Sequence, residues 1–170
     1  TILIDGNIKW YGSSSYGLIS YDNNSWQLYN TSNSELPDNE ITDLFLDKNN
    51  ALWISTRNGL AQYNENIWNV YNTSNSGLPN NWITCCIVDY QNVCLIGTFS
   101  GGFVEYDGEN WEVYTQNNSP LLSNYIRDLE EDANGNIWIG LDDAGISIHN
   151  RNGITSVLPN ETNSMPISSN

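Results

Sequence analysis

Positive charge is scarce in this sequence: five Lys plus Arg against twenty Asp plus Glu leave a formal net charge of -15. Such a chain repels a phosphate backbone and an anionic membrane surface alike, which excludes nucleic acid as a partner. No apolar run approaches the roughly 18 to 20 residues that span a bilayer, so no membrane insertion of this segment is expected. Cysteine is limited to Cys85, Cys86 and Cys94. Adjacent Cys85 and Cys86 would point to opposite faces of a strand, so at most one could reach Cys94 and no disulfide framework is indicated. A single histidine, His149, cannot build a multi-histidine metal centre. There is no Gly-x-Ser-x-Gly elbow, Walker loop, His-Glu-x-x-His or Cys-x-x-Cys. Neither a metal nor a cofactor is therefore expected. The chain opens on Thr1-Ile2-Leu3-Ile4 with no basic leader, so any signal peptide is expected to have been removed or never to have been part of it.

What the sequence does hold is aromatic and turn-forming. Seven Trp and ten Tyr stand among abundant Asn, Ser and Thr, a composition that favours pleated strands joined by tight turns. The 170 residues suffice for one ordinary domain. They also repeat. Trp26, Trp68 and Trp111 lie 42 and 43 apart, Trp10 and Trp53 lie 43 apart, and Gly17, Gly59, Gly102 and Gly145 follow at 42, 43 and 43. Ile41-Thr42, Ile83-Thr84 and Ile126-Arg127 open one segment of each unit, after Leu36-Pro37, Leu78-Pro79 and Leu121-Leu122.

Within a unit the periodicity is that of short strands. Ile126 to Glu131 reads as strand A, Ile137 to Gly140 as strand B, Gly145 to His149 as strand C and Ile154 to Leu158 as strand D. Between A and B, Asp132-Ala133-Asn134-Gly135-Asn136 has the residues of a tight turn. It superficially resembles an oxygen-rich calcium loop, but no distal Glu follows at the spacing that such a loop needs. Helical periodicity is missing throughout. Four strands per unit of about 40 to 45 residues match a β-propeller blade. The expected fold is all-β, with four blades at about residues 1–42, 43–84, 85–127 and 128–159, and residues 160–170 forming a polar tail or the link to another blade. Blades bury their faces only against each other, so four blades are expected to be part of a larger ring, completed by further blades in cis or by a homodimer. Cys86 and Cys94 occupy core positions, whereas Cys85 replaces Asp43 and Asp128 and is expected to be more exposed.

Leu78-Pro79-Asn80-Asn81-Trp82-Ile83-Thr84, the Asp132 to Gly140 turn and strand, and Gly59-Leu60-Ala61-Gln62-Tyr63 together resemble the two-component regulator propeller repeat. The resemblance covers essentially the whole chain. It implies an extracytoplasmic propeller of a sensor protein, as in hybrid histidine kinases that detect oligosaccharides in Bacteroidetes. The same repeat occurs in secreted proteins without a kinase. The chain has four repeats and no kinase segment, so a sensor role would belong to a longer parent chain.

The loops between strands D and A and those between B and C share one rim of a propeller. Residues that differ between units on that rim are free to serve a ligand. They are Glu40, Trp82 and Tyr125 before strand A, Arg127 just after, and Arg57, Phe99, Asp142 and Asp143 in the B-to-C loops. Aromatic rings beside Asn and Asp suit a sugar, whose C–H faces stack while its hydroxyls find planar partners. Trp82 and Tyr125 are expected to stack on it. Arg57 and Arg127 would meet an anionic group such as a uronate or sulfate, unless Glu40 pairs with one of them. The leading functional expectation is a non-catalytic, periplasmic or extracellular module that recognises an oligosaccharide for a two-component system. A secreted interaction or structural propeller is the alternative. A propeller-scaffold lyase or glycosidase comes third, because neither Asp142-Asp143 nor Glu130-Glu131-Asp132 brings a nucleophile and acid together in a strand.

Overall fold

The computed structural model describes residues 1–150 and 152–157. It holds four antiparallel sheets of four strands each, and no helix among the described residues. Blade 1 comprises β1 (Ile2–Asp5), β2 (Ile8–Gly12), β3 (Leu18–Tyr21) and β4 (Trp26–Tyr29). Blade 2 comprises β5 (Ile41–Leu46), β6 (Leu52–Thr56), β7 (Gly59–Asn64) and β8 (Ile67–Tyr71). Blade 3 has β9 (Ile83–Val88), β10 (Cys94–Thr98), β11 (Phe103–Tyr106) and β12 (Trp111–Tyr114). Blade 4 has β13 (Ile126–Glu131), β14 (Ile137–Leu141), β15 (Gly145–Asn150) and β16 (Gly153–Val157). Each sheet runs in sequence order, so every connection inside a blade is a hairpin. The expected end of strand D at Leu158 and the 160–170 tail lie outside the described residues.

The register follows the repeat. Trp10, Trp53, Leu95 and Trp138 pair with Leu3, Phe45, Ile87 and Glu130 on one side, and with Ser20, Gln62, Glu105 and Ile148 on the other. On the outer two strands Tyr21, Tyr63 and Tyr106 pair with Trp26, Trp68 and Trp111, their rings 4.3, 4.7 and 4.1 Å apart. His149 holds the corresponding place in blade 4, opposite Ile154.

Strand C begins at a glycine for a steric reason. Gly17 and Gly102 have φ of +98° and +92°, and a Cβ there would sit 2.2 and 2.1 Å from the carbonyl oxygens of Tyr29 and Tyr114. Only glycine adopts that backbone at such an approach. The A-to-B turns close on an aspartate. Asp132 Oδ1 accepts from the amides of Asn134 (2.8 Å) and Asn136 (3.0 Å), and Oδ2 from Asn136 Nδ2 (2.8 Å) and Trp138 Nε1 (3.0 Å). Hydrogen bonds from the Asn136 side chain and Trp138 lead in holding this carboxyl well below its ordinary range. The turn that superficially resembled a calcium loop thus spends both carboxylate oxygens on its own hairpin.

Core residues gather at the three junctions between successive blades. Trp10 and Leu18 of blade 1 meet Leu44, Ile54 and Ala61 of blade 2. Trp53 and Leu60 meet Cys86, Ile96 and Val104 of blade 3. Leu95 and Phe103 meet Leu129, Ile137 and Ile139 of blade 4. The same strand positions recur on each facing side. Cys86 and Cys94 are buried as expected, but so is Cys85, at 3% exposure. Cys85 packs with Ile126 and Leu129 at the third junction, a small apolar residue where blades 2 and 4 carry aspartate.

Candidate functional site

Blades 2, 3 and 4 each cross one rim with two loops joined by a backbone hydrogen bond. Arg57 N donates to Glu40 O (3.4 Å), Phe99 N to Trp82 O (2.9 Å) and Asp142 N to Tyr125 O (3.0 Å). The residue before strand A is therefore held beside the first residue of the B-to-C loop. In blade 2 the partners form an ion pair, with Arg57 Nε 2.7 Å from Glu40 Oε1. In blade 3 they stack, with Trp82 and Phe99 centroids 3.9 Å apart and planes 12° from parallel.

The pairs then join from blade to blade. The Arg57 guanidinium lies 4.1 Å from the Trp82 ring centroid, and Phe99 meets Tyr125 edge-on at 5.4 Å. Glu40, Arg57, Trp82, Phe99 and Tyr125 thus form one strip across three blades. Two groups within about 4 Å of one ring centroid cannot share a face without colliding, so Arg57 and Phe99 cover opposite faces of Trp82. Trp82 cannot offer a face to a sugar, contrary to the stacking expected for it. Tyr125, 41% exposed, and Phe99, 39% exposed, are the rings open to solvent.

Beside the strip lies a hollow of about 430 Å³, lined by Glu40, Arg57, Trp82, Phe99 and Arg127 together with strand A residues Thr42, Asp43, Thr84, Cys85 and Asp128. Strand A carries the latter group because of a bulge. Ile41 and Asp43 pair with consecutive residues Thr56 and Ser55, which leaves Thr42 over; Ile126 and Asp128 pair with Leu141 and Gly140 and leave Arg127 over. The same shift in blade 3 leaves Thr84 over. Bulges re-aim side chains and recur beside binding sites. Thr42 Oγ1 donates to Ile83 O at 2.7 Å, and Asp43 Oδ2 accepts from Cys86 N at 3.3 Å, so blade 3 anchors the blade 2 side of the floor. Burial raises the Asp43 carboxyl above its ordinary range, against the Leu44 and Cys86 amide hydrogen bonds and with the Asp128 carboxylate adding to the effect.

Five of the eight predicted residues line this hollow, and Tyr125 stands at its edge against Phe99. Asp142 is tied to Tyr125 through its backbone, and both Asp142 and Asp143 are exposed outside the lining. Glu40 pairs with Arg57, the more conservative of the two roles expected for it. Arg127 is exposed and makes no ion pair with the described residues. The sequence reading missed Thr42, Asp43, Thr84, Cys85 and Asp128 as lining residues. A constant spacing of 17 from residue 40 to 57, 82 to 99 and 125 to 142 was the available signal that the two loops pair. Two further hollows of about 290 and 400 Å³ involve the A-to-B turns on the opposite rim, where Asp47 and Asp132 are committed to their own hairpins.

Residues 35–58 and 120–143, each running from a D-to-A loop through strands A and B into the next rim loop, match the family described as two component regulator propeller. Those two segments are similar to the two component regulator propeller repeat. No curated protein matches it. Among solved structures, this propeller is similar to the extracellular domain assigned to the hybrid two component system BT3049 from B. thetaiotaomicron, with 22% identity and a TM-score of 0.80 over 93% of this chain and 22% of that one. It is similar to PorZ, a surface component of the type-IX secretion system of Porphyromonas gingivalis, at 22% identity and a TM-score of 0.68 over 86% of this chain and 25% of that one. Virginiamycin B lyase from Staphylococcus aureus shares 11% identity and a TM-score of 0.72 over 92% of this chain and 54% of its own. A sensor domain, a secretion component and a lyase thus share these blades, and at such identities the likeness speaks for the fold alone. The chain spans about a quarter of the length of the BT3049 and PorZ structures and about half of that of the lyase.

Proposed function

We propose that this two component regulator propeller is a non-catalytic, extracytoplasmic recognition module, the sensing part of a longer two-component regulator. Its ligand is a carbohydrate-like polar molecule held in the rim hollow. The observation that carries the reading is the union, on one rim, of open aromatic rings at Phe99 and Tyr125 with an exposed Arg127 that makes no ion pair among the described residues, beside a hollow of about 430 Å³. That volume falls within the range of small-ligand sites, roughly 300 to 1,000 Å³. In this reading Tyr125 stacks on a sugar ring and Arg127 binds a carboxylate or sulfate. Arg57 is engaged by Glu40 and Trp82 and serves to hold the strip.

Calorimetric titration with acidic and neutral oligosaccharides tests this, using wild type, Tyr125→Ala, Arg127→Ala and Trp82→Ala. Loss of one charge-assisted contact predicts weakening by about tenfold or more for Arg127→Ala with acidic ligands. Tyr125→Ala should weaken acidic and neutral ligands alike. Binding that survives all three substitutions unchanged moves the ligand elsewhere. Absence of binding to any glycan favours the second reading, a propeller that recognises protein, for which the exposed rings of Phe99 and Tyr125 on the same rim speak.

A further inference from the structure

The rim hollow holds more negative charge than its own cations answer. Of the charged side chains in its lining, Glu40 and Arg57 offset each other in their 2.7 Å ion pair. Arg127 is then left with two carboxylates, Asp43 from blade 2 and Asp128 from blade 4. No Lys or Arg side chain pairs with either carboxylate among the described residues.

The strand A bulge puts these groups together. Where the pairing slips, two consecutive residues of the strand line the hollow: Thr42 with Asp43, Thr84 with Cys85, and Arg127 with Asp128. In blade 3 the second of these is a thiol. Burial leads in pushing the Cys85 thiol up, and the Asp43 and Asp128 carboxylates add to it, so a neutral group separates the two acids. Backbone partners leave the acids charged. Asp43 Oδ2 accepts from Cys86 N at 3.3 Å and Asp128 Oδ1 from Leu129 N at 3.0 Å, which satisfies lone pairs without adding a cation. Burial already holds the Asp43 carboxyl above its ordinary range, and the Asp128 carboxylate adds to that. A ligand hydroxyl would complete a hydrogen bond here and leave both charges standing, whereas a ligand cation would offset one and bond the other. An anion with no cation beside it would gain at Arg127 and lose against Asp128, the next residue along the chain.

Resting on the reading of this hollow as the ligand site, we propose that its ligand is an amino sugar carrying both a free amine and an acidic group. The ammonium sits between Asp43 and Asp128, the acid meets Arg127, and the ring lies against Tyr125. Acetylation of the amine would keep one N–H donor, remove the charge and bring a carbonyl oxygen towards the two carboxylates.

Four sugars separate the contributions: muramic acid, with amine and carboxylate; N-acetylmuramic acid, with the carboxylate alone; glucosamine, with the amine alone; and glucuronate. Amide-resolved NMR titration gives both the affinity and the place of binding. Muramic acid should bind most tightly, and its acetylation should weaken binding by about tenfold or more. Asp43→Asn and Asp128→Asn should each weaken muramic acid and glucosamine by a similar factor and leave N-acetylmuramic acid no weaker. Arg127→Ala should weaken the two muramic acids and spare glucosamine. Wild-type-like amide spectra of the variants confirm that their folds are intact. N-acetylmuramic acid or glucuronate binding at the hollow as tightly as muramic acid would overturn the amine and leave the rim reading standing. Muramic acid binding indifferent to both aspartate substitutions would do the same. Binding by none of the four, or shifts away from the hollow, would overturn the amine and count against the rim reading with it.

Discussion

Replacing Asp47 by alanine removes three hydrogen bonds from one turn. Asp47 Oδ1 accepts from Asn49 N (2.8 Å) and Ala51 N (2.9 Å), and Oδ2 from Trp53 Nε1 (3.0 Å). Asn49 is exposed, so water replaces that contact. Ala51 and Trp53 are buried at 2% and 5% exposure, so their donors would be left without partners. A buried donor deprived of its acceptor costs about 1 to 3 kcal/mol, which puts Asp47→Ala at about 3 to 4 kcal/mol. Urea unfolding measures it. Trp53→Phe removes the indole donor, so Asp47→Ala in that background should cost about 1 kcal/mol less than in wild type. Blade 1 supplies a natural control, since its shorter turn leaves the buried Trp10 Nε1 without a partner, and Asp5→Ala should change stability by no more than about 0.5 kcal/mol. A loss below about 1 kcal/mol for Asp47→Ala, or a loss at Asp5 equal to it, would refute the view that the aspartate and indole lock the first hairpins of blades 2 and 4.

Gly102→Ala should destabilise by more than about 2 kcal/mol in the same assay, because φ is +92° and the new methyl would meet the Tyr114 carbonyl oxygen at 2.1 Å. Burial opposes the charge on Glu105, but the His149 hydrogen bond and charge and the Tyr114 hydroxyl outweigh it and hold the carboxyl below its ordinary range. Its contribution is therefore present above the unfolded carboxyl's ordinary value of 4.5 and is lost as pH falls through the lower folded value. Glu105→Gln should flatten that acid limb in a series of melting temperatures. Asp43 shifts the other way, so its ionisation opposes folding; Asp43→Asn should raise the melting temperature at neutral pH, with the gain vanishing at acid pH.

Much of the fold was legible because blade positions recur every 42 or 43 residues, and a strand's period of two then sorts each position to a face. Trp26, Trp68 and Trp111 show this, each paired with a strand C tyrosine. The rim was legible only as a set of divergent positions. That Trp82 lies between Arg57 and Phe99 depends on how neighbouring blades approach, which no spacing within a blade encodes. The bulge that leaves Thr42, Thr84 and Arg127 over is a slip of pairing, invisible in residue type. Cys85 was misjudged because the aspartates at the equivalent positions suggested exposure, whereas the third junction closes over it.

The most direct test of the central claim, that the rim hollow is where this propeller meets its ligand, is an amide-resolved NMR titration with a panel of acidic and neutral oligosaccharides. The account predicts shifts concentrated at residues 40–43, 57, 82–85, 99 and 125–128, and strongest with an acidic sugar. Shifts gathered instead on the A-to-B turns at 47–51, 89–93 and 132–136 would contradict it.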